Sequence, residues 1–240
     1  MRFLLPLPAL LALALLASGC QEEPVVTQDI VSAIPWPDHE RAEYVVLDRD
    51  GERGRGEGVL EVSREGETYR LSLRFDDGEN MDSSFVTVDA TTLKPRTVER
   101  DIQGEEDASF EGEYDTAEKV IRIVETTGGD EREIPRRIDK EHYYDNESSL
   151  FLWRTIDFRE GFEAAYHTVL ANQGGTQRLV RLRVLGKEGV TVPAGTFEAW
   201  RVEIYTQDLR QIAWFTDTPE HALIQYDNDF RHLLQLTAIE

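Results

Sequence analysis

Tyr69, Leu71, Leu73 and Phe75 are apolar, and Arg70, Ser72 and Arg74 between them are polar. Successive side chains of a strand point to opposite faces, so a period of two sets one face against an apolar interior and the other in water. The pattern returns at Val180, Leu182 and Val184, split by Arg181 and Arg183, and at Trp200, Val202 and Ile204, split by Arg201 and Glu203. Turn-forming groups separate such runs: Asp48-Arg49-Asp50-Gly51, Asp76-Asp77-Gly78, Gly128-Gly129, Gly174-Gly175 and Leu185-Gly186-Lys187. Short strands with turns roughly every 8–12 residues predict an antiparallel meander of about ten strands, not βαβ units. The strand segments are 43–49, 57–65, 67–76, 83–89, 95–102, 108–115, 117–126, 163–171, 177–187, 196–207, 209–216, 220–227 and 231–238, some of which are expected to merge or fail.

One stretch breaks the alternation. Asp145-Asn146-Glu147-Ser148-Ser149 supplies capping side chains and acids where a helix starts. Leu150, Phe151, Leu152 and Trp153 then follow without a period of two, and Gly161 ends the stretch. A short helix around 147–157 is predicted, with an apolar surface suited to covering the apolar face of a sheet.

The N-terminus reads as an address. Arg2 precedes an apolar run, Phe3 to Ala17, which closes on Leu16-Ala17-Ser18-Gly19-Cys20. A positive tip, a short apolar stretch and small residues before a cut form a secretory signal. The run is shorter than the roughly 20 apolar residues of a comfortable membrane span. Cys20 is the only cysteine of the chain, and its setting resembles the lipobox of bacterial lipoproteins. The resemblance implies cleavage before Cys20 and lipidation of that residue, hence an extracytoplasmic protein held to a membrane by its N-terminal lipid, on the periplasmic side if two membranes are present. Gln21 is not the aspartate that favours inner-membrane retention in some bacteria with two membranes. The expected division is a signal peptide over 1–19, a lipidated cysteine and flexible tether over 20–40, and a single β-rich domain over 41–240. The tether carries three prolines and no period, and Trp36 is the residue in it most suited to the domain edge.

A net charge of −21 argues against nucleic acid as a partner, because a phosphate backbone must be met by Lys and Arg. It argues equally against lying flat on an anionic bilayer. With one cysteine and that one at the cleavage site, the core must hold the fold without a disulfide, which about 200 residues suffice to do.

The run Gly189-Val190-Thr191-Val192-Pro193-Ala194-Gly195-Thr196-Phe197-Glu198-Ala199-Trp200-Arg201-Val202 resembles the signature of an extracytoplasmic bacterial family classed as a domain of unknown function. Ala213-Trp214-Phe215-Thr216-Asp217 and Pro219 to Tyr226 are similar to its next two strands, and Leu234-Gln235-Leu236-Thr237 to its last. Tyr144-Asp145 through Arg154, and Asp157 through Gly161, are similar to its short helical segment. That family resembles the half-open barrels of lipoprotein carriers, in which a curved antiparallel sheet wraps an apolar surface. The fold class expected is therefore mainly β: a strongly curved antiparallel sheet or half-open β-barrel with one short helix covering the apolar face. The resemblance implies a fold and names no reaction. In the Val-Pro-Ala-Gly run itself, a proline without an N–H and a glycine open to positive φ shape a hairpin.

Catalytic chemistry finds little support. His39, His142, His167, His221 and His232 lack the close spacings of zinc sites. Asp48-Arg49-Asp50-Gly51-Glu52 fails as a calcium loop, with Arg53 at the sixth position and Val59 at the twelfth. Ser148 and Ser149 lie in no Gly-x-Ser-x-Gly elbow. Glu105-Glu106-Asp107 and Gly129-Asp130-Glu131-Arg132-Glu133 read as solvated loop faces. No cofactor, no metal and no enzymatic activity are expected. The aromatic residues are more telling, because a half-open barrel has a concave face too large for one short helix to fill. Tyr69, Leu71, Leu73, Phe75, Trp153 and Trp200 are the expected lining of such a cavity. The function expected is binding of a hydrophobic ligand, a lipid or an acylated protein. The alternative is a structural or interaction module of the envelope, with a filled core and a protein partner.

Overall fold

The computed structural model describes residues 25–48, 54–104, 107–207, 209–229 and 232–240. The signal segment, Cys20, most of the Asp48–Glu52 turn, and Glu105 and Glu106 lie outside the described residues.

The described residues form one 15-stranded sheet. Its first eight strands are β1 (His39–Asp48), β2 (Gly54–Glu65), β3 (Thr68–Asp76), β4 (Met81–Asp89), β5 (Pro95–Gln103), β6 (Ala108–Asp115), β7 (Val120–Thr127) and β8 (Asp130–Arg137). The remainder are β9 (Tyr143–Asp145), β10 (Glu163–Leu170), β11 (Thr176–Val192), β12 (Gly195–Thr206), β13 (Leu209–Thr216), β14 (Leu223–Asp227) and β15 (His232–Ile239). Each strand from β1 to β8 pairs with the next, as does each from β9 to β15, and β1 and β15 join the two halves. All pairings are antiparallel except β9 with β10. The expected curved antiparallel sheet is the observed one.

Sequence and structure part at two strands. Asp130 to Glu133, expected as part of an acidic loop face, belong with the unassigned 134–137 to strand β8, paired with β7 from Thr127↔Asp130 to Val120↔Arg137. It shows no alternation because both of its faces are largely exposed. Backbone pairing alone makes it a strand, and charges suit an edge. β9 is too short to carry a period.

β8 and β9 are the two free edges, joined through residues 138–142. The sheet curls until β8 faces the turn between β10 and β11, and side chains span the gap in place of a ladder. Arg136 Nε donates to the Gly174 carbonyl at 2.9 Å, and Gln177 Nε2 to the Arg137 carbonyl at 3.0 Å. Gly175 lies at φ +72°, and a Cβ there would stand 2.9 Å from Arg136 Cβ. Only glycine permits this approach. The Val-Pro-Ala-Gly run forms the expected hairpin: Val192 pairs with Gly195 around Pro193-Ala194. Beyond the end of the short β14, the Ala194 N–H donates to the Leu236 carbonyl at 3.0 Å, so the hairpin tip docks on β15.

The predicted helix exists and is nearly all buried. α1 (Ser149–Leu152) is flanked by 3-10 turns at Asn146–Ser148 and Trp153–Thr155, a continuous plug over 146–155. Leu150, Phe151, Leu152 and Trp153 are all buried, each worth roughly 1.5–3 kcal/mol. Trp36 sets its ring edge against Tyr69 at 5.9 Å and Phe151 at 6.4 Å, and Trp153 Nε1 donates to the Tyr166 hydroxyl at 2.8 Å.

The segment expected to be a flexible tether up to residue 40 is bound well before that point. Gln28 N–H donates to the Ala165 carbonyl, Ser32 and Ala33 N–H to the Thr155 carbonyl, and Ile30 and Trp36 enter the core. Two apolar side chains that match the filled end of the barrel outweigh the prolines around them.

Charged groups fix the plug at both ends. At its C-terminal end Arg154, 3% exposed, grips Glu40 through both terminal nitrogens, at 2.5 and 2.9 Å. It also donates to the Glu220 and His221 carbonyls. At the N-terminal end Asp145 caps the first turn by accepting from the Glu147 N–H at 2.8 Å, and it accepts from the Tyr114 hydroxyl at 2.5 Å. Arg100 bridges Asp82 and Glu147. Burial, reinforced by the neighbouring Glu147 charge, pushes Asp145 up to about 7 against the pull of Tyr114 and Arg100, and burial raises Glu147 as well.

The folded chain therefore keeps the Asp145 proton up to about pH 7, whereas an unfolded chain releases it near 3.8. Raising the pH across that interval favours the unfolded chain, so this group's effect is a stability that falls by a few kcal/mol at most. The melting midpoint should drop between pH 5 and pH 7, and Asp145→Asn should drop distinctly less. Equal slopes in the two proteins would contradict the assignment.

Candidate functional site

The barrel has two unlike ends. Where β1 begins and β13 turns into β14, the interior is packed with Trp36, Tyr69, Leu71 and Phe151 around the plug. Toward the end of β1 and the start of β2, the described side chains leave a space between them. A cavity of about 740 Å³ remains between the plug and the walls of β3–β5 and β10–β15. It shares Phe75, Asp82, Arg100 and His232 with an outer depression of about 920 Å³ that opens past Asp76, Asp77 and Arg55. Its apolar walls include Leu73, Leu150, Trp153, Leu170 and Leu234. Such a volume falls within the range of ligand pockets.

The six residues expected to line one cavity are divided by the structure. Leu73, Phe75 and Trp153 line it. Tyr69 and Leu71 lie on the same strand face as Leu73 but farther toward the packed end, where they are 4% and 1% exposed. Trp200 sits apart, 6.3 Å from Phe158, with its Nε1 donating to Asp217 at 2.9 Å and the Lys187 ammonium 4.5 Å from its ring. Period two places a residue on a face but says nothing of its height along the barrel, and height decides who meets the cavity.

The sequence reading also missed the polar lining. Arg100 stands between Val98 and Ile102, Thr168 between Tyr166 and Leu170, and Arg178 two residues before Val180. Each occupies the parity of an inward face, which was the available signal. Arg100 is neutralised by Asp82 and Glu147. Arg178 is held by two amide oxygens, those of Gln173 at 2.6 Å and of Gln207.

Among the described residues, no group of three or more His, Cys, Asp or Glu is placed to hold a metal ion. No helix of the described residues is long and apolar enough to cross a membrane.

Comparison with known proteins bears on family and fold. No curated protein matches the sequence. The crystal structure of a β-barrel-like protein of the domain of unknown function DUF1849, from Brucella abortus, superposes with a TM-score of 0.53 at 11% identity. The match covers 88% of this chain and 98% of that one. A putative exported protein with a YmcC-like fold from Bacteroides fragilis covers 88% of this chain and 99% of its own at 10% identity, with a TM-score of 0.33. The first of these shares the barrel-like fold and, at that identity, the fold alone. The profile of the family described as "Protein of unknown function (DUF3108)" matches residues 48–230, and the chain belongs to that family.

Proposed function

We propose that this is a lipid-anchored protein of the cell envelope that binds a hydrophobic ligand in the cavity at the open end of its barrel. The observation that carries the reading is the contrast between the two ends. One sheet and one plug fill the first end, while at the other Leu73 and Phe75 stay half-buried and line the cavity together with the plug's Leu150 and Trp153. Apolar surface gains about 25 cal/mol per Å² when removed from water, so an unfilled apolar wall favours an apolar guest. The anchor rests on Cys20 and the lipobox resemblance. A bilayer beside the domain is a source of acyl-chain ligands, and the strongly negative charge of the chain favours a domain that stands off an anionic surface. The reading assigns binding and no reaction.

Two substitutions on one strand test the cavity, using the chain from Val25 onward and a dye such as N-phenyl-1-naphthylamine. The wild type should take up the dye. Leu73→Asp places its charge where water reaches, so it should melt near the wild type and take up several-fold less dye. Leu71→Asp buries an unpaired charge in packed core, which costs several kcal/mol, and should fail to fold. A wild type that takes up no dye, beside a collapsed Leu73→Asp, would contradict ligand binding and favour an interaction module with a filled core. For the anchor, Cys20→Ser should abolish metabolic labelling with a fatty-acid analogue, and equal label in both proteins would refute it.

A further inference from the structure

Two polar atoms in the cavity wall lack partners, and they are neighbours. Thr168 on β10 pairs directly with Arg178 on β11, which sets their Cβ atoms about 5 Å apart. Both residues line the cavity. Thr168 is 1% exposed, yet its Oγ1 has no hydrogen-bond partner among the described residues. Arg178 Nε is likewise buried and unpartnered. The Arg178 terminal nitrogens are occupied by Gln173 and Gln207, two neutral amides, and none of the described carboxylates pairs with its charge. Buried polar groups without partners are costly, and two of them side by side in a cavity wall form a receptor for a group that accepts hydrogen bonds.

The geometry points to an oxyanion as that group, at the head of a long-chain amphipath whose tail lies in the same cavity. An N–H and a positive charge from Arg178 and an O–H from Thr168 all suit a negatively charged acceptor, and hydrogen bonds to an ionised acceptor are the stronger kind. The other cavity cation is already satisfied, since Arg100 is clamped by Asp82 and Glu147. Val180, two positions along β11 from Arg178 and paired with Tyr166, lies on the plug side of this pair, where the apolar wall continues to Leu150 and Trp153, and Leu170 flanks the pair on the other side. Charge at one spot and apolar surface beyond it match a carboxylate or phosphate bearing one acyl or alkyl chain. In a chain of net charge −21 an anion is drawn only to a local positive site, which Arg178 provides. This inference rests on the cavity being a ligand site and adds the chemistry of the ligand's head.

The test uses the full chain in its membrane and three photo-crosslinkable long-chain probes of equal length: a carboxylic acid, an alkyl phosphate and the primary alcohol. Crosslinked peptides are mapped by mass spectrometry. At least one of the two acids should label cavity-wall peptides about tenfold or more above the alcohol, and the favoured one identifies the head as carboxylate or phosphate. Arg178→Gln should reduce acid labelling to the alcohol level and leave alcohol labelling unchanged. Thr168→Val, close in shape and without the orphaned hydroxyl, should lower acid labelling while melting no lower than the wild type. Equal labelling by all three probes, unchanged in both variants, would overturn the oxyanion head and leave the apolar pocket standing. No labelling of cavity peptides by any probe would overturn the pocket and this inference with it.

Discussion

The Arg154–Glu40 ion pair is the point on which the interior depends. Arg154 belongs to the plug, Glu40 to the first strand, and the Glu220 and His221 carbonyls that Arg154 also holds belong to the turn between β13 and β14. The next plug residue, Thr155, accepts the N–H groups of Ser32 and Ala33, and Trp36 lies 5.2 Å from the guanidinium. One side chain thus ties the entering segment, the first strand, the turn between β13 and β14, and the plug. Taking two charges out of water is expensive, and a buried pair repays it only when its remaining hydrogen bonds are met. Here the guanidinium has two carboxylate oxygens and two carbonyls, and the pair fixes the height at which the plug sits.

That height produces the asymmetry from which the functional reading comes. A plug of ten residues, 146–155, is short beside strands of up to 17 residues, so it can fill one end of the barrel and no more. Buried polar side chains occur at both ends. At the packed end, Glu40, Arg154 and Thr155 are hydrogen-bonded, and the Trp36 ring N–H, set among aromatic rings, has no partner among the described residues. At the cavity, Thr168 and Arg178 retain unpartnered atoms on an inward face. A core selected only for stability would place apolar side chains at such positions, as it does at Val180 and Leu182.

Much of the architecture was legible in the sequence, because a period of two is a direct consequence of the pleat. The runs at 69–75 and 180–184 are strands in the expected alternation, which in the run at 200–204 holds at Val202 and Ile204 but not at Trp200, and the loss of alternation at Leu150–Trp153 marked the plug. β8 was missed because an exposed edge strand has no apolar face to betray it. The tether was read too long because prolines suggested freedom, while Ile30 and Trp36 carried the contrary signal. The site was half legible. Leu73, Phe75 and Trp153 meet the cavity, but Tyr69, Leu71 and Trp200 do not, since position along the barrel axis depends on strand stagger and plug depth. Arg178 and Thr168 broke the apolar parity in plain sight, and a polar residue on an inward face is a stronger pointer to a site than another aromatic on it.

A double-mutant cycle on Glu40 and Arg154, followed by denaturant unfolding, tests most directly whether the plug is held by this pair. Glu40→Gln and Arg154→Met should each lose about 3–5 kcal/mol, because each strands a buried partner. The double variant Glu40→Gln with Arg154→Met should lose far less than the two losses added together. Single losses below about 1 kcal/mol, or losses that simply add, would show that the plug is seated by apolar packing alone and that the ion pair does not set the shape of the interior.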